Sequence, residues 1–364
     1  MKVKLDLDAF WNENAASSGK PFSTDKPRCP VALPVDDHWL LEEMQVPSTV
    51  RYYRDAEYRA QVNKACNDRL EEAIGVRRFP EDVGSRPPLR IEEVFGSHQE
   101  LTEGGTPWLE PGVKSIEELR ELVERVQKLS DRELEELVFA DGRSVAAEAL
   151  DAGRPKRMTP WSRGPATIAT SVMGTTEYLY AIVDYPAVME QFYECLTTTL
   201  IRYQRLMERR RNVSFTGYAW LDDNCCLVSP ELYERFCLPM MARVFAEFAP
   251  DPSAWRFQHS DSAMAHLLPI LAMQRLHGVN LGPTLSVQEI RQHMPRTEIH
   301  GQVAPMTLRN GTLADVVAEV QRDFAGAGAD GGLLITTAGS ISAGTSLEAI
   351  RGLMWAVQEQ TRYQ

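Results

Sequence analysis

The stretch WRFQHSDSAMAHLLPILAMQRLHGVNLGPTLSVQEI, Trp255 to Ile290, decides the reading of the chain. It opens on a short, mostly apolar run, Trp255 to Gln258, that gives way to His259-Ser260-Asp261. An apolar segment then leads to a second run, Gly278 to Leu281, which passes into Asn280-Leu281-Gly282-Pro283. Ser286 and Glu289 follow at the spacing of a capping box, in which a hydroxyl and a carboxylate each satisfy an orphan backbone N–H at a helix start. Strand, polar strand end and helix therefore succeed one another twice, the pattern of βα units on a parallel sheet.

The pattern continues in both directions. Toward the N-terminus, Val213 to Leu221 runs into Asp222-Asp223-Asn224, and Ser229-Pro230 opens a helix in which Pro239 predicts a kink. Toward the C-terminus, Thr297 to Val303 carries His300-Gly301-Gln302, and Leu333 to Thr337 leads into the polar segment Thr336 to Ser342. Further helix starts stand at Ser115-x-x-Glu118, Ser130-x-x-Glu133, Pro186, Thr312 and Thr345-x-x-Glu348. What selects a barrel is that each strand-like run ends in hydrogen-bonding or reactive residues. In a (β/α)8 TIM barrel the C-terminal strand ends converge on one face, so five such clusters meet in one pocket. A doubly wound sheet would scatter them along an open edge.

The expected fold is therefore α/β, a (β/α)8 barrel that forms one domain. Residues 1–115 are its irregular N-terminal extension with the first barrel strands, and residues 116–364 supply the remainder. Within the extension, Val31 to Val35 is a candidate first strand and Arg51 to Arg69 reads as a polar stretch. Phe95 to Gly112 reads as a long loop, a lid or a surface wrap anchored by Trp108. Gly326-Ala-Gly328-Ala-Asp-Gly331 matches a dinucleotide fingerprint, but it follows a helix and precedes a strand, the reverse of the order that presents N–H groups to a pyrophosphate.

A chain of 364 residues with 43% hydrophobic and 25% charged residues can bury a large core. Its net charge of -12 repels nucleic-acid backbones and anionic lipid, and no apolar run is long enough to span a bilayer. The expectation is a cytoplasmic protein that acts on a small molecule, with no nucleic-acid or membrane partner; a homo-oligomer is compatible with this, and the sequence locates no pairing surface. Six cysteines without C-x-x-C spacing read as reduced thiols, Cys225-Cys226 as packing residues.

His259 and Asp261, two apart where strand gives way to loop, can share one face and meet a common ion or substrate. With Asp222 and Asp223 at a neighbouring strand end, several acids and an imidazole crowd one mouth, which calls for a cation or a shared proton. Asp222, Asp223, His259, Asp261 and His300 are thus the candidate catalytic residues, with Asp222 alternatively bracing the loop before Ser229. Trp161, Arg163, Asn280, Gln302 and Ser340 are the expected substrate contacts, and Arg154, Lys156, Arg157 and Arg163 form a basic knot suited to a carboxylate or phosphate. His266 reads as a buried core histidine, and Asp36 with His38 face the same pocket if Val31 to Val35 is a strand.

WSRGPATIATSVMG (Trp161 to Gly174), DYPAVMEQFYE, LDDNCCLVSPELYERFCLP (Leu221 to Pro239), the His-Ser-Asp element, GVNLGP, GQVAP and a closing G-x-S-x-x-x-G-T-S-x-E-A-I stand in order. This series resembles the uroporphyrinogen decarboxylase superfamily, especially its corrinoid-linked methyltransferase branch. The resemblance implies a (β/α)8 barrel and, at Asp223 and His259, a divalent metal, zinc first, to which the spacing of His259 and Asp261 adds Asp261 as a third candidate ligand. The decarboxylases' R-Q-A-G-R motif has no match, and their late Gly-His-Gly falls at Ala338-Gly339-Ser340. Thiol-methylating members carry His-x-Cys and a late Cys, where this chain has His259-x-Asp261 and Gly339 or Ser340, a harder donor set. No D-x-H-x-x-G cobalamin loop is present, so a methyl-corrinoid would ride on a separate partner protein. The leading expectation is a metal-assisted methyl transferase. The alternatives are a metal-free decarboxylase or lyase, with Asp222 or Asp223 protonating a carbanion while the basic knot holds an acid, and a non-catalytic small-molecule binding barrel. The metal reading requires His259 and Asp223 within about 12 Å of each other.

Overall fold

The computed structural model describes residues 3–82, 86–148 and 154–363. Among these, six parallel strands form one sheet in the order Leu333–Thr337, Glu298–Val303, Gly278–Leu281, Trp255–Ser260, Gly217–Leu221 and Trp161–Arg163. Successive strands in the chain are neighbours in the sheet, and helices such as Leu238–Phe248, Val287–His293 and Leu313–Asp323 connect them, as βα units require. Val31 adds to the outer edge of Leu333–Thr337 through a parallel bridge to Ile335, so the expected first strand is present as a short contact.

The sheet curls as a barrel wall must. In a flat sheet the Trp255–Ser260 and Leu333–Thr337 strands would lie three spacings apart, roughly 14 Å. Here a Cβ placed on Gly339, just beyond the second of these strands, would meet the Asp261 Cβ at 3.1 Å. The Asn280 side chain likewise crosses one strand to reach the Thr337 carbonyl at 3.0 Å. The outer face is packed by rings: Tyr218 stacks on Phe248, and Trp220 meets Phe245 edge-on. Because side chains alternate along a strand, Ala219 and Leu221 between and beyond them face the lumen.

Helices form where the sequence supplies a stripe and a cap. Ile116–Gln127 buries Leu119, Leu122, Val123 and Val126, the i, i+3, i+4, i+7 pattern of one helix face, each side chain worth roughly 1.5–3 kcal/mol when fully buried. Ser130, Ser286 and Thr312 close reciprocal capping boxes with Glu133, Glu289 and Asp315. The last long helix, Leu347–Gln360, is capped by Ser346 rather than the expected Thr345, which is buried. Before Pro239 the backbone widens into a π-helical turn, Tyr233–Cys237, since a proline lacks the N–H that a regular helix needs there. The Gly326 to Gly331 segment is a helix exit and turn before a strand, as read from sequence order.

The N-terminal region is more regular than its sequence suggests. Arg51 to Arg69 falls in two helices, Thr49–Arg54 and Ala56–Ile74. The second buries Asn63, Cys66, Asn67, Leu70 and Ile74, a helical stripe whose two asparagines disguise it. Asn67 accepts from the Arg78 and Phe79 N–H groups and donates to the Phe79 carbonyl; Asn63 donates to the Pro80 carbonyl. Phe95 to Gly112 is not a plain loop either, because His98–Glu100 and Trp108–Glu110 pair as an antiparallel hairpin. Its tip is fastened where the Glu103 carboxylate accepts from Ser48 and Thr49 and Thr106 bonds His38. The six cysteines are free thiols, and among the described residues no helix is long and apolar enough to cross a membrane.

Candidate active site

Register builds the site. Arg163 pairs with Leu221, Leu221 with His259, and His259 with Asn280, so the four stand side by side on the inner wall across four strands. Ser162 and Tyr218 point outward, bonded to each other, which leaves Trp161 and Arg163 on the lumen face. Above this row, Asp223 opens the single turn Asp223–Leu227 and Asp261 follows the end of its strand.

Asp223 Oδ1 accepts from the Asp261 backbone N–H at 3.1 Å and lies 3.5 Å from His259 Nε2. One ligand atom each from Asp223, His259 and Asp261 fall within 4.8 Å of one another, far inside the limit that the sequence reading set. Burial, and then the Asp223 charge, push the Asp261 carboxyl above its ordinary range, with His259 partly opposing them. A proton or a cation between two acids so placed would relieve their repulsion. An imidazole nitrogen and two carboxylate oxygens without sulfur fit a divalent cation of borderline or hard character. Gly339 stands beside this group, with a φ of +101° that suits glycine and a missing Cβ that leaves room for Asp261.

Asp222 does not join this group. Its carboxylate turns away from the lumen and is fully buried, accepting from the Thr167 N–H at 2.8 Å and the Thr167 hydroxyl at 2.9 Å. Gly164 begins the Pro165–Met173 helix without a side chain to cap it, and Asp222 caps it from a neighbouring strand. A Cβ on Gly164 would stand 2.1 Å from that of Asp222, so only glycine admits this cap. Burial pushes the Asp222 carboxyl up to about 6.

Two expected substrate contacts are also corrected. Asn280 spends all of its hydrogen-bonding capacity inside the protein, and Gln302 is a buried strut whose amide donates to the Leu281, Gly282 and Leu285 carbonyls. Trp161 does face the lumen, 60% exposed. Arg163 stands in the row, held by the Ser171 hydroxyl at 2.9 Å and by Glu92 at 3.8 Å. Ser340 is exposed beside Gly339. The basic knot is split, because Arg154, Lys156 and Arg157 lie on the exposed side and Lys156 pairs with Glu148. His300 lines the lumen lower down, its Nε2 3.0 Å from Glu298 and its ring 5.2 Å from that of Phe257. Asp36 caps a helix by accepting from the Trp39 N–H, and His38 ties down the hairpin, so neither joins the acids. His266 is exposed and bonds the Val228 carbonyl, not a core residue.

Two buried acids escaped the sequence reading. Glu298 is two residues before His300 on the same strand face, the spacing that singled out His259 and Asp261, so the same rule could have found it. Glu92 is displaced upward by burial and offset by Arg163; nothing in its surroundings, Ile91-Glu92-Glu93-Val94, marks it.

The sequence model of a family described as Uroporphyrinogen decarboxylase (URO-D) matches residues 88–360. No curated sequence matches the chain. Among solved structures, the chain is similar to a methyltransferase from Methanosarcina mazei at 16% identity and a TM-score of 0.61, covering 98% of this chain and 99% of that one. At that identity the likeness speaks for the fold.

Proposed function

The chain belongs to the uroporphyrinogen decarboxylase family, and on that premise we propose that it is a metal-assisted methyl (one-carbon) transferase that works with a separate corrinoid protein. The observation that carries this reading is the meeting of Asp223, His259 and Asp261 at the barrel mouth. The similarity to a protein described as a methyltransferase supports it.

Asp223, His259 and Asp261 are the residues that would hold a divalent cation, zinc first. A bound cation supplies Lewis acidity, which lowers the proton affinity of a substrate heteroatom and readies it for alkyl transfer. The protein's own groups do the rest. Asp223 fixes the Asp261 backbone through its N–H, so the two carboxylates are set in place together. Arg163, two strands along the row from His259, presents a guanidinium restrained by Glu92 and Ser171 to an electron-rich group of the substrate. Trp161 offers an exposed aromatic face in the same lumen. Because burial and the Asp223 charge push the Asp261 carboxyl above its ordinary range, proton and cation compete for it, and cation affinity should fall as pH drops into that raised range.

The test is loss of the methyl group from free methylcobalamin, followed by absorbance, across thiol, amine and phenol acceptors. Turnover that a chelator stops and zinc restores supports the reading. The raised proton affinity of Asp261 favours a second reading, a metal-free lyase in which the Asp223 and Asp261 pair shares a proton and delivers it to a carbanion. That reading predicts product release with chelator present and no acceptor added. Asp222 has no part in it, being closed off behind the Pro165–Met173 helix.

A further inference from the structure

Resting on the proposed metal site, we infer that Asn280 is a positioning residue that fixes the tautomer of His259, so that the Nε2 lone pair faces Asp223 and Asp261 before any ion arrives. Asn280 is 8% exposed, and every polar atom of its side chain has a partner. One end lies 2.6 Å from the His300 carbonyl oxygen and 3.0 Å from that of Thr337. Carbonyls only accept, so this end is the NH2 group. The other end lies 3.2 Å from the Gly339 backbone N–H, which only donates, so this end is the oxygen. Turning the amide over would create three repulsive contacts with backbone groups that cannot change role.

The consequence reaches His259. Its Nδ1 sits 2.7 Å from that same Asn280 oxygen, an acceptor, and must therefore carry the proton. In the neutral ring Nε2 is then bare, 3.5 Å from Asp223 Oδ1. A lone pair turned toward two carboxylates is unfavourable in an empty site and well suited to a filled one. The orientation is imposed from outside the cluster, by backbone groups of the Glu298–Val303 and Leu333–Thr337 strands and Gly339, relayed through one amide. Asn280 thus ties the geometry of four strand ends to a single ligand atom.

The experiment uses metal-free full-length protein with 15N-labelled histidine, observed by long-range 1H–15N correlation at about pH 8.5, above the ordinary histidine range. His259 is assigned by its absence in His259→Ala. The wild-type spectrum should show the Nδ1–H form. Asn280→Leu should lose that preference and bind cobalt(II), titrated by calorimetry, about 10–100-fold more weakly, the usual cost of losing a ligand's hydrogen-bond partner. Asn280→Asp keeps an oxygen for Nδ1 but turns its second oxygen on the His300 and Thr337 carbonyls, so it should retain the tautomer while cobalt affinity falls part of the way. An Nε2–H ring in the wild type overturns the inference. So does a folded Asn280→Asp that loses the Nδ1–H form, since an acceptor at Nδ1 would then not be what sets the tautomer. Wild-type protein that shows the Nδ1–H form but binds no cobalt leaves the inference standing and overturns the metal site itself.

Discussion

Asp222 and Asp223 are adjacent in the chain and opposite in circumstance. Asp223 looks into the lumen beside His259, while Asp222 is buried against the start of a helix. The sequence brought both to attention as a pair, and it distinguished His259 and Asp261 by their spacing, but it could not say which acid turns inward. That choice depends on which one the missing side chain of Gly164 makes room for. Asp223→Asn should weaken cation binding by at least about 100-fold, or ~2.7 kcal/mol, with a nearly unchanged denaturation midpoint. Asp222→Asn should do the reverse. The folded protein holds the Asp222 proton more tightly than the unfolded chain, with its carboxyl up to about 6 against an ordinary 3.8. The stabilisation that this proton brings is complete below the ordinary value and is lost as pH rises through about 6. An asparagine carries no such penalty. In chelator, the stability gap in favour of Asp222→Asn should widen between about pH 4 and pH 7 by on the order of 2–3 kcal/mol, read from urea denaturation. A gap that is the same at both ends would show that Asp222 is not the group involved.

At the scale of elements, the strand ends were the legible part. Gly278–Leu281 and Leu333–Thr337 have the bounds read from sequence, and Trp255–Ser260 and Glu298–Val303 differ by one or two residues. The expected Val213 to Leu221 run is split into Val213–Phe215, which pairs with Lys156–Met158 in a separate sheet, and Gly217–Leu221. They could be read because a strand buried on both faces is a short apolar run, and because its exit into the mouth is polar. The Ala56–Ile74 helix was illegible for the opposite reason, since its buried stripe includes Asn63 and Asn67, which satisfy the turn that follows. The hairpin was hidden because its strands are three residues each and His98–Glu100 is exposed throughout. The junction that most affects the site is the start of Pro165–Met173. Gly164→Ala forces a Cβ into the Asp222 side chain and should lower stability by at least about 2 kcal/mol. Ser346→Ala should cost about 1 kcal/mol through the lost cap of the final helix. Equal midpoints for wild type and Gly164→Ala would mean that the helix start can shift and that Asp222 is not its cap.

For the molecule as a whole, the sheet acts by bending. Residues from the Gly217–Leu221 and Trp255–Ser260 strand ends would supply the ligands of the proposed ion, and Asn280 links one of them to two further strands. An ion in that position would bridge the Asp223–Leu227 turn and the residue that follows the Trp255–Ser260 strand. Zinc at 100 times its dissociation constant should therefore stabilise the wild type by about 2.7 kcal/mol, while His259→Ala should show almost no shift. Zinc stoichiometry with X-ray absorption at the zinc edge bears most directly on the central claim. The account predicts one zinc per chain in an oxygen and nitrogen shell near 2.0–2.2 Å without sulfur, lost in His259→Ala. A protein that takes up no zinc, or a spectrum with sulfur near 2.3 Å, would contradict it.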